Sequence, residues 1–235
     1  MMVWKRVGKR LRVAWAVVGL AAVAQPLVAQ TVRSPYRGIE RRQSANAFVG
    51  YRDAGTGRFG YGPGGGPIFG LLYDLELGGP FGLDVITTVQ STTRDVIDPE
   101  LPEGDRVTGQ ADALLTSIEA GVRFSLTGRR TWNGLSPHLL IGGGWIFESE
   151  GAQPDDERIL EDDRFEFGSS FMTTLGAGLR YLPSQRLMLR SDVGLALWRL
   201  ETPVGFADPD RGFEGVEERE WVSSPTLRLT LGFRF

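Results

Sequence analysis

The strict alternation of large apolar residues with other residues along most of the chain limits what it can fold into. Between residues 67 and 78 one parity is apolar, and the other mixes glycine, leucine and acidic residues. A period of two is that of a β-strand with one apolar face. The pattern resumes after the turn at 78–80, which predicts a hairpin. After the N-terminal segment there is no helical period and no apolar run of about eighteen residues, which excludes an α-helical membrane protein.

The alternation predicts eight strands whose connections are long and short in turn. The predicted strands are 46–53, 67–78, 81–94, 111–126, 135–148, 165–182, 186–200 and 221–235. The long connections are 53–66, 95–110, 149–164 and 201–220. Because neighbouring strands run antiparallel, we expect all long loops at one end of the sheet and all short turns at the other.

The distribution of glycine separates a membrane barrel from a soluble β-sandwich, which would turn its apolar face inward and its charges outward. Eleven strand glycines lie on the mixed parity, and one, Gly143, lies on the apolar parity. A face rich in glycine and charge suits a narrow barrel interior, and a face of large apolar residues suits lipid. The sheet must close because lipid cannot form hydrogen bonds with the backbone N–H and C=O groups of a free sheet edge. We predict an all-β fold, a single eight-stranded antiparallel up-and-down transmembrane β-barrel.

The N-terminus has the organisation of a secretory signal peptide. Both lysines of the chain and three arginines lie in the first twelve residues, and an apolar stretch follows to residue 29. We predict cleavage after Ala29, with Ala24 as the earlier alternative, and a signal anchor holding a soluble domain as the other interpretation. The predicted organisation is a signal peptide at 1–29, a periplasmic N-terminal tail at 30–45 and the barrel at 46–235.

The net charge of the chain limits the kinds of partner that it can bind. The chain left after cleavage carries 21 arginines and 29 acidic residues, a net charge of −8. A nucleic-acid-binding protein needs the opposite sign, so no nucleic acid is expected. The chain has no cysteine, which excludes disulfides and cysteine-ligated metal sites.

The C-terminal strand carries a family resemblance. Its apolar residues alternate with arginine, threonine and glycine, and they are Leu227, Leu229, Leu231, Phe233 and the terminal Phe235. This resembles the C-terminal signal of bacterial outer-membrane β-barrels, and the processed chain resembles the small eight-stranded OmpA/OmpX-type barrels in architecture. The resemblance implies a bacterial outer-membrane location, surrounding outer-membrane lipid, and recognition by the barrel-assembly machinery during biogenesis. No motif identifies a particular member.

The sign of the charge differs between the long loops, the short turns and the strands. The long loops sum to −14, the tail and short turns sum to +6, and the strands carry equal numbers of acids and arginines. An unpaired buried charge is costly, so balanced strand charges predict pairing inside the lumen. We expect an ion-pair network that plugs the periplasmic half of the barrel. Its predicted members are Asp74, Glu76, Asp84, Glu119, Asp192, Arg123, Arg180, Arg190, Arg228 and Arg234.

Two acidic triplets, 155–157 and 161–163, offer the oxygen ligands that Ca²⁺ and Mg²⁺ prefer. Their spacing matches no EF-hand, so we expect solvated loops, with weak divalent-cation bridging to anionic lipid as the alternative. No defined metal site and no cofactor is expected. Residues 60–65 match G-x-G-x-x-G, but no helix follows, and we expect a flexible outer loop.

Aromatic residues gather at both strand ends, which predicts two interfacial girdles. The long-loop girdle is expected to contain Tyr51, Phe69, Trp145, Phe147, Phe165, Phe167 and Trp221, and the short-turn girdle Phe81, Tyr181, Phe233 and Phe235.

The expected function is non-enzymatic, a structural or surface-interaction role with acidic extracellular loops and a plugged lumen, and no catalytic residue is assigned. The first alternative is a narrow channel for small solutes. The second is a lipid-modifying enzyme that uses His138, the one histidine of the sequence. His138 lies on the inward parity, where a lumen-lining role is the expected one.

Overall fold

The computed structural model describes residues 34–149 and 155–235, so the predicted signal peptide lies outside the described residues. The strands are β1 (Tyr36–Gly38), β2 (Gln43–Arg52), β3 (Gly66–Glu76), β4 (Phe81–Ile97), β5 (Val107–Ser125), β6 (Arg130–Trp132), β7 (Leu135–Glu148), β8 (Ser169–Tyr181), β9 (Leu187–Glu201) and β10 (Arg219–Arg234). The described helices are 3-10 turns at Asp156–Arg158, Glu161–Asp163, Val204–Phe206 and Pro209–Arg211. Within these residues, no helix is long and apolar enough to cross a membrane.

Eight of the strands form a closed antiparallel ring, as the alternation predicts. Each of β2–β5 and β7–β10 pairs with two neighbours in the ring. The ring closes where β10 pairs with β2, in a register that runs from Thr226 opposite Arg52 to Arg234 opposite Ser44. These strands are 10 to 19 residues long, enough to cross a bilayer when tilted. Eight strands leave an interior only wide enough for side chains.

The two faces of each strand separate as predicted. Along β9, exposed and buried residues alternate almost without interruption. The apolar parity faces outward, as at Leu71, Val122, Leu195 and Leu229, and the mixed parity faces the lumen. Leu83, also expected to face lipid, is half-buried on the same outward parity. The outer wall is therefore predominantly apolar, as suits a surface that meets lipid.

The largest differences from the predicted boundaries lie at four strand ends. Strands β4 and β5 reach further toward the long loops than expected, to Ile97 and from Val107. Strand β8 begins at Ser169, four residues later than the predicted start. Strand β2 begins at Gln43, so the barrel starts three residues before the predicted boundary at 46.

A short strand pair at the short-turn end was not predicted. Strand β1 pairs antiparallel with β6, with Tyr36 opposite Trp132. Strand β6 joins β7 through Asn133 and Gly134, which have φ angles of 50° and 85°. Asparagine followed by glycine suits a two-residue hairpin turn because both positions need positive φ. The segment just before β2 is thereby held beside the barrel.

Candidate functional site

The barrel lumen is the candidate site, and its short-turn half contains a connected ion-pair network. Arg123 lies at its centre, with Nε 3.0 Å from Asp84 Oδ1, Nη2 3.3 Å from Asp74 Oδ1 and Nη1 3.4 Å from Glu76 Oε1. The Nη1 of Arg180 lies 2.5 Å from the same Glu76 oxygen. Glu76 is thus shared by two guanidinium groups, and the planar fork of Arg123 presents separate N–H donors to three carboxylates.

Arg190 extends the network across the lumen. Its Nη1 lies 2.7 Å from Asp84 Oδ2, and its Nε donates to both oxygens of Asp192 at 2.9 and 2.8 Å. Asp192 in turn lies 2.9 Å from His138 Nε2. These side chains are at most 4% exposed, so they are not screened by bulk solvent.

Serine hydroxyls satisfy further polar atoms of the network. Arg180 Nη2 donates to Ser125 Oγ at 3.0 Å and to Ser136 Oγ at 3.3 Å. Ser44 donates a hydrogen bond to Asp74. Seven of the ten predicted lumen residues therefore meet in one cluster: Asp74, Glu76, Asp84, Asp192, Arg123, Arg180 and Arg190.

Inward glycines make room for these large side chains. A Cβ at Gly82 would lie 2.4 Å from Arg123 Nη2, and a Cβ at Gly178 would lie 2.4 Å from Asp192 Oδ1. Either contact is closer than non-bonded atoms tolerate, so these positions need glycine while the network keeps its geometry. The glycines on the inward parity therefore leave the space that the charged side chains occupy.

The other three predicted residues lie outside this cluster. Glu119 lies 3.5 Å from Arg52 Nη2, a partner that was not among the predicted residues. Arg228 has no carboxylate within 4 Å in the described chain, and its guanidinium lies 5.8 Å from the Phe48 ring. Arg234 donates to the backbone carbonyl of Arg41. Arg52 could have been found, because it shares the inward parity of Gly50.

Above the network, apolar side chains share the lumen with buried polar ones, among them Arg52, Gln90 and Glu119. A middle cluster consists of Phe48, Ile68, Leu72, Ile86 and Leu140. A larger cluster fills the long-loop half and consists of Tyr61, Ile97, Leu115, Ile146, Phe165, Phe167, Met172, Ala196, Trp198, Leu200, Phe206, Phe213 and Val222.

The upper cluster is a cap to which three long loops contribute. Tyr61 of the first loop has its ring 5.0 Å from Phe165 of the third and 5.5 Å from Phe206 of the fourth. Phe206 lies 5.5 Å from Phe213. Ring contacts of this kind stabilise a cluster beyond the burial of their area. The loops are therefore packed together over the mouth of the barrel.

Two sequence expectations about the loops are wrong. Phe165 and Phe167 are buried in the cap and do not belong to the interfacial girdle, because they precede β8 and fold inward. The segment 60–65, expected to be a flexible loop, carries the buried Tyr61, with Gly62 and Pro63 also buried beside it.

The acidic triplets are also less solvated than expected. Asp156 is buried and receives two hydrogen bonds from Arg94, at 2.9 and 2.6 Å. Asp163 is buried and lies 2.8 Å from Nη1 of Arg211, whose Nη2 reaches Glu100 of the second loop at 3.4 Å. The hydrogen bond to Asp163 raises the pKa of Arg211. In the described chain, no three histidine or carboxylate groups converge as a metal site.

Tyr61 also has a polar anchor at the edge of the cap. Its hydroxyl donates to Glu220 Oε1 at 3.0 Å and lies 3.2 Å from Thr202 Oγ1. The backbone N–H of Arg58 donates to the same carboxylate at 2.9 Å. Burial, together with the nearby Glu220 charge, raises the pKa of Tyr61 to about 12. The first loop is thus fixed to the start of β10.

No protein-family model and no curated protein matches the sequence. Among solved structures, the outer membrane protein OprG of Pseudomonas aeruginosa is similar with a TM-score of 0.52 and 12% identity, covering 83% of this chain and 97% of OprG. Neisserial surface protein A is similar with a TM-score of 0.49 and 14% identity, covering 82% and 97%. The likeness to OprG shows the fold.

Proposed function

We propose that this chain, which has the fold of the small eight-stranded outer-membrane β-barrel proteins, serves as a closed barrel with a structural or surface-interaction role. Antiparallel barrels with an apolar outer band and short turns at one end are the architecture of bacterial outer-membrane proteins. In this orientation the long loops face the exterior and both ends of the barrel chain lie in the periplasm. Residues 1–29 would direct export, and residues 30–42 would form the periplasmic tail that precedes β2.

The observation that supports a closed barrel is the filling of the lumen along its length. The ion-pair network occupies the short-turn half, the Phe48 cluster occupies the middle, and the cap occupies the mouth. A passage for solutes would require these layers to move apart. Eight-stranded barrels have little interior space to spare, which favours a structural role over the channel alternative.

Single-channel recording in planar bilayers tests this proposal. We expect the wild-type protein to show no steady conductance. A variant that empties the cap and cuts the network, Phe206→Ala with Arg123→Ser, is the positive control and should conduct intermittently. A large and steady wild-type conductance, unchanged in the double variant, would overturn the closed barrel and favour a channel.

The position of His138 supports a non-enzymatic role. Its imidazole is buried in the lumen, and its side-chain hydrogen-bond partner in the described part of the chain is the Asp192 carboxylate and not a serine hydroxyl. Nucleophilic catalysis needs the nucleophile within hydrogen-bond reach of the base. Lipid substrates would also lie on the opposite side of the wall. The mass of phospholipid and lipopolysaccharide should therefore be unchanged after incubation with the purified barrel.

The long loops would form the surface that interacts with partners. Ion pairs from Arg94 to Asp156 and from Arg211 to Asp163 tie them to the wall and to each other. Other loop acids, among them Glu100, Glu103, Glu157 and Glu214, are exposed, so the surface suits basic partners and weak, diffuse attraction of divalent cations. A preassembled surface loses little conformational entropy when it binds. Pull-down with loop-deleted controls tests whether the loops carry the interaction.

The C-terminal strand supports assembly by the barrel-assembly machinery. Leu227, Leu229, Leu231, Phe233 and Phe235 all face outward on β10 and its end. This row is accessible to a partner that reads one side of the strand while the barrel forms. Deletion of Phe235 tests this role.

A further inference from the structure

The outer wall of β7–β10 carries a row of interfacial residues near the long-loop end. Trp145 is paired with Phe171, and Arg199 is paired with Trp221, and all four side chains face outward. The rings of Trp145 and Phe171 meet edge to face at 5.6 Å. Aromatic rows of this kind mark the depth of lipid headgroups. Arg199 therefore stands at headgroup depth, between Phe171 and Trp221.

The guanidinium of Arg199 has no acidic partner in the described part of the chain. Its carbon lies 4.6 Å from the centre of the Trp221 ring, a cation–π contact that holds the group against the wall. One row nearer the loops, Arg219 is paired with Glu201 at 2.7 Å, so the charges of that row cancel. The site keeps one net positive charge from Arg199.

A depression of about 350 Å³ lies on the wall at this point, lined by Phe171, Arg199, Trp221 and the Glu201–Arg219 pair. Ser170 forms part of its floor, and its Oγ accepts from the Arg199 backbone N–H at 3.1 Å. Below it, toward the middle of the barrel, the outward residues of β9 are Leu197 and Leu195. The depression thus opens onto an apolar surface on one side and a polar rim on the other.

We propose that this depression, the Arg199 site, binds the phosphate headgroup of an outer-leaflet membrane lipid, with the acyl chains lying along Leu197 and Leu195. The planar guanidinium can donate two parallel hydrogen bonds to a phosphate. Continuity with the apolar wall distinguishes a lipid from a free anion, because the tails add contact area that inorganic phosphate lacks. The inference rests on the proposed membrane location.

Native mass spectrometry of the purified barrel in a neutral detergent tests the site. The probe is diphosphoryl lipid A, compared with the same lipid after removal of its phosphates and with inorganic phosphate. We expect the wild type to retain the phosphorylated lipid, and Arg199→Gln to weaken that binding at least about fivefold, about 1 kcal/mol. Arg158→Gln is the matched control, since it removes one exposed loop arginine from the same end and should leave binding unchanged.

Three results would overturn the Arg199 site: equal binding of the dephosphorylated lipid, equal loss in Arg158→Gln, or displacement of the lipid by inorganic phosphate at similar concentration. Each variant is first checked for its heat-modifiable gel shift and for insertion into vesicles. If the wild type fails to insert, the membrane location itself is wrong. If it inserts and Arg199→Gln binds as the wild type does, only the site is wrong.

Discussion

Replacing Arg190 by methionine should destabilise the barrel more than most single substitutions. Arg190 is fully buried and is the link between Asp84 and Asp192, with donor–acceptor distances of 2.7 to 2.9 Å. Methionine fills similar space without a charge, and the loss leaves two buried carboxylates short of a partner. Asp84 keeps Arg123 at 3.0 Å, but among the described residues Asp192 keeps the His138 contact alone. Breaking one partner of a buried pair costs about 3–5 kcal/mol, and we expect a free energy of unfolding lower by that amount.

The assay is urea unfolding in phospholipid vesicles, followed by tryptophan fluorescence and by heat-modifiable gel mobility. Arg186→Met, in an exposed turn, is the control and should change the stability by less than about 0.5 kcal/mol. In the double variant with Asp192→Leu, removal of the stranded carboxylate should recover about 1 kcal/mol or more of the loss. A loss below about 1 kcal/mol for Arg190→Met, with no recovery in the double variant, would refute the reasoning that the network is dry and tightly coupled.

Three further predictions address the wall, the cap and assembly. Leu195→Arg puts a charge on the lipid face and should cost roughly 2–4 kcal/mol in the same assay, and an unchanged stability would contradict the assigned parity. Because burial raises the pKa of Tyr61 to about 12, above its usual value of about 10, its neutral form stabilises the cap. That contribution is complete below about pH 10 and is lost as pH rises toward 12, so near-ultraviolet circular dichroism should show the cap opening in this window, and Tyr61→Phe should lack the transition. Deletion of Phe235 should lower the folded, heat-modifiable fraction in the outer membrane, and wild-type levels in the deletion strain would remove the support for a C-terminal assembly signal.

The wall of the barrel could be predicted because its pattern is local. Every membrane-crossing strand carries an alternation that a reader can follow residue by residue, and the parity places Asp84 inward and Leu71 outward without any tertiary information. The same reasoning misses β1 and β6, because three residues are too few to show a period. It also places Phe165 on the wall, because the alternation runs on past the start of β8.

The cap could not be predicted in this way. Tyr61, Phe206 and Phe213 come from loops with no period, and their meeting depends on where each loop turns back over the mouth. Their aromatic character is the signal that was available, since large apolar residues in a long loop need burial. The pairing of the lumen charges likewise depends on tertiary structure. Parity places Glu119 and Arg228 in the lumen, but their depths decide that Glu119 pairs with Arg52 and that Arg228 lies beside Phe48.

Cysteine accessibility in lipid vesicles tests the closed barrel most directly, because the chain contains no cysteine of its own. Single cysteines are introduced at Ala196, which faces the lumen, at Leu195, which faces lipid, and at Glu157, which is exposed on a loop. We predict that a charged, water-soluble thiol reagent modifies only the Glu157 variant, and that a lipid-soluble maleimide modifies the Leu195 variant as well. Modification of the Ala196 variant by the water-soluble reagent, at a rate close to that of the Glu157 variant, would show an open aqueous lumen and contradict the account.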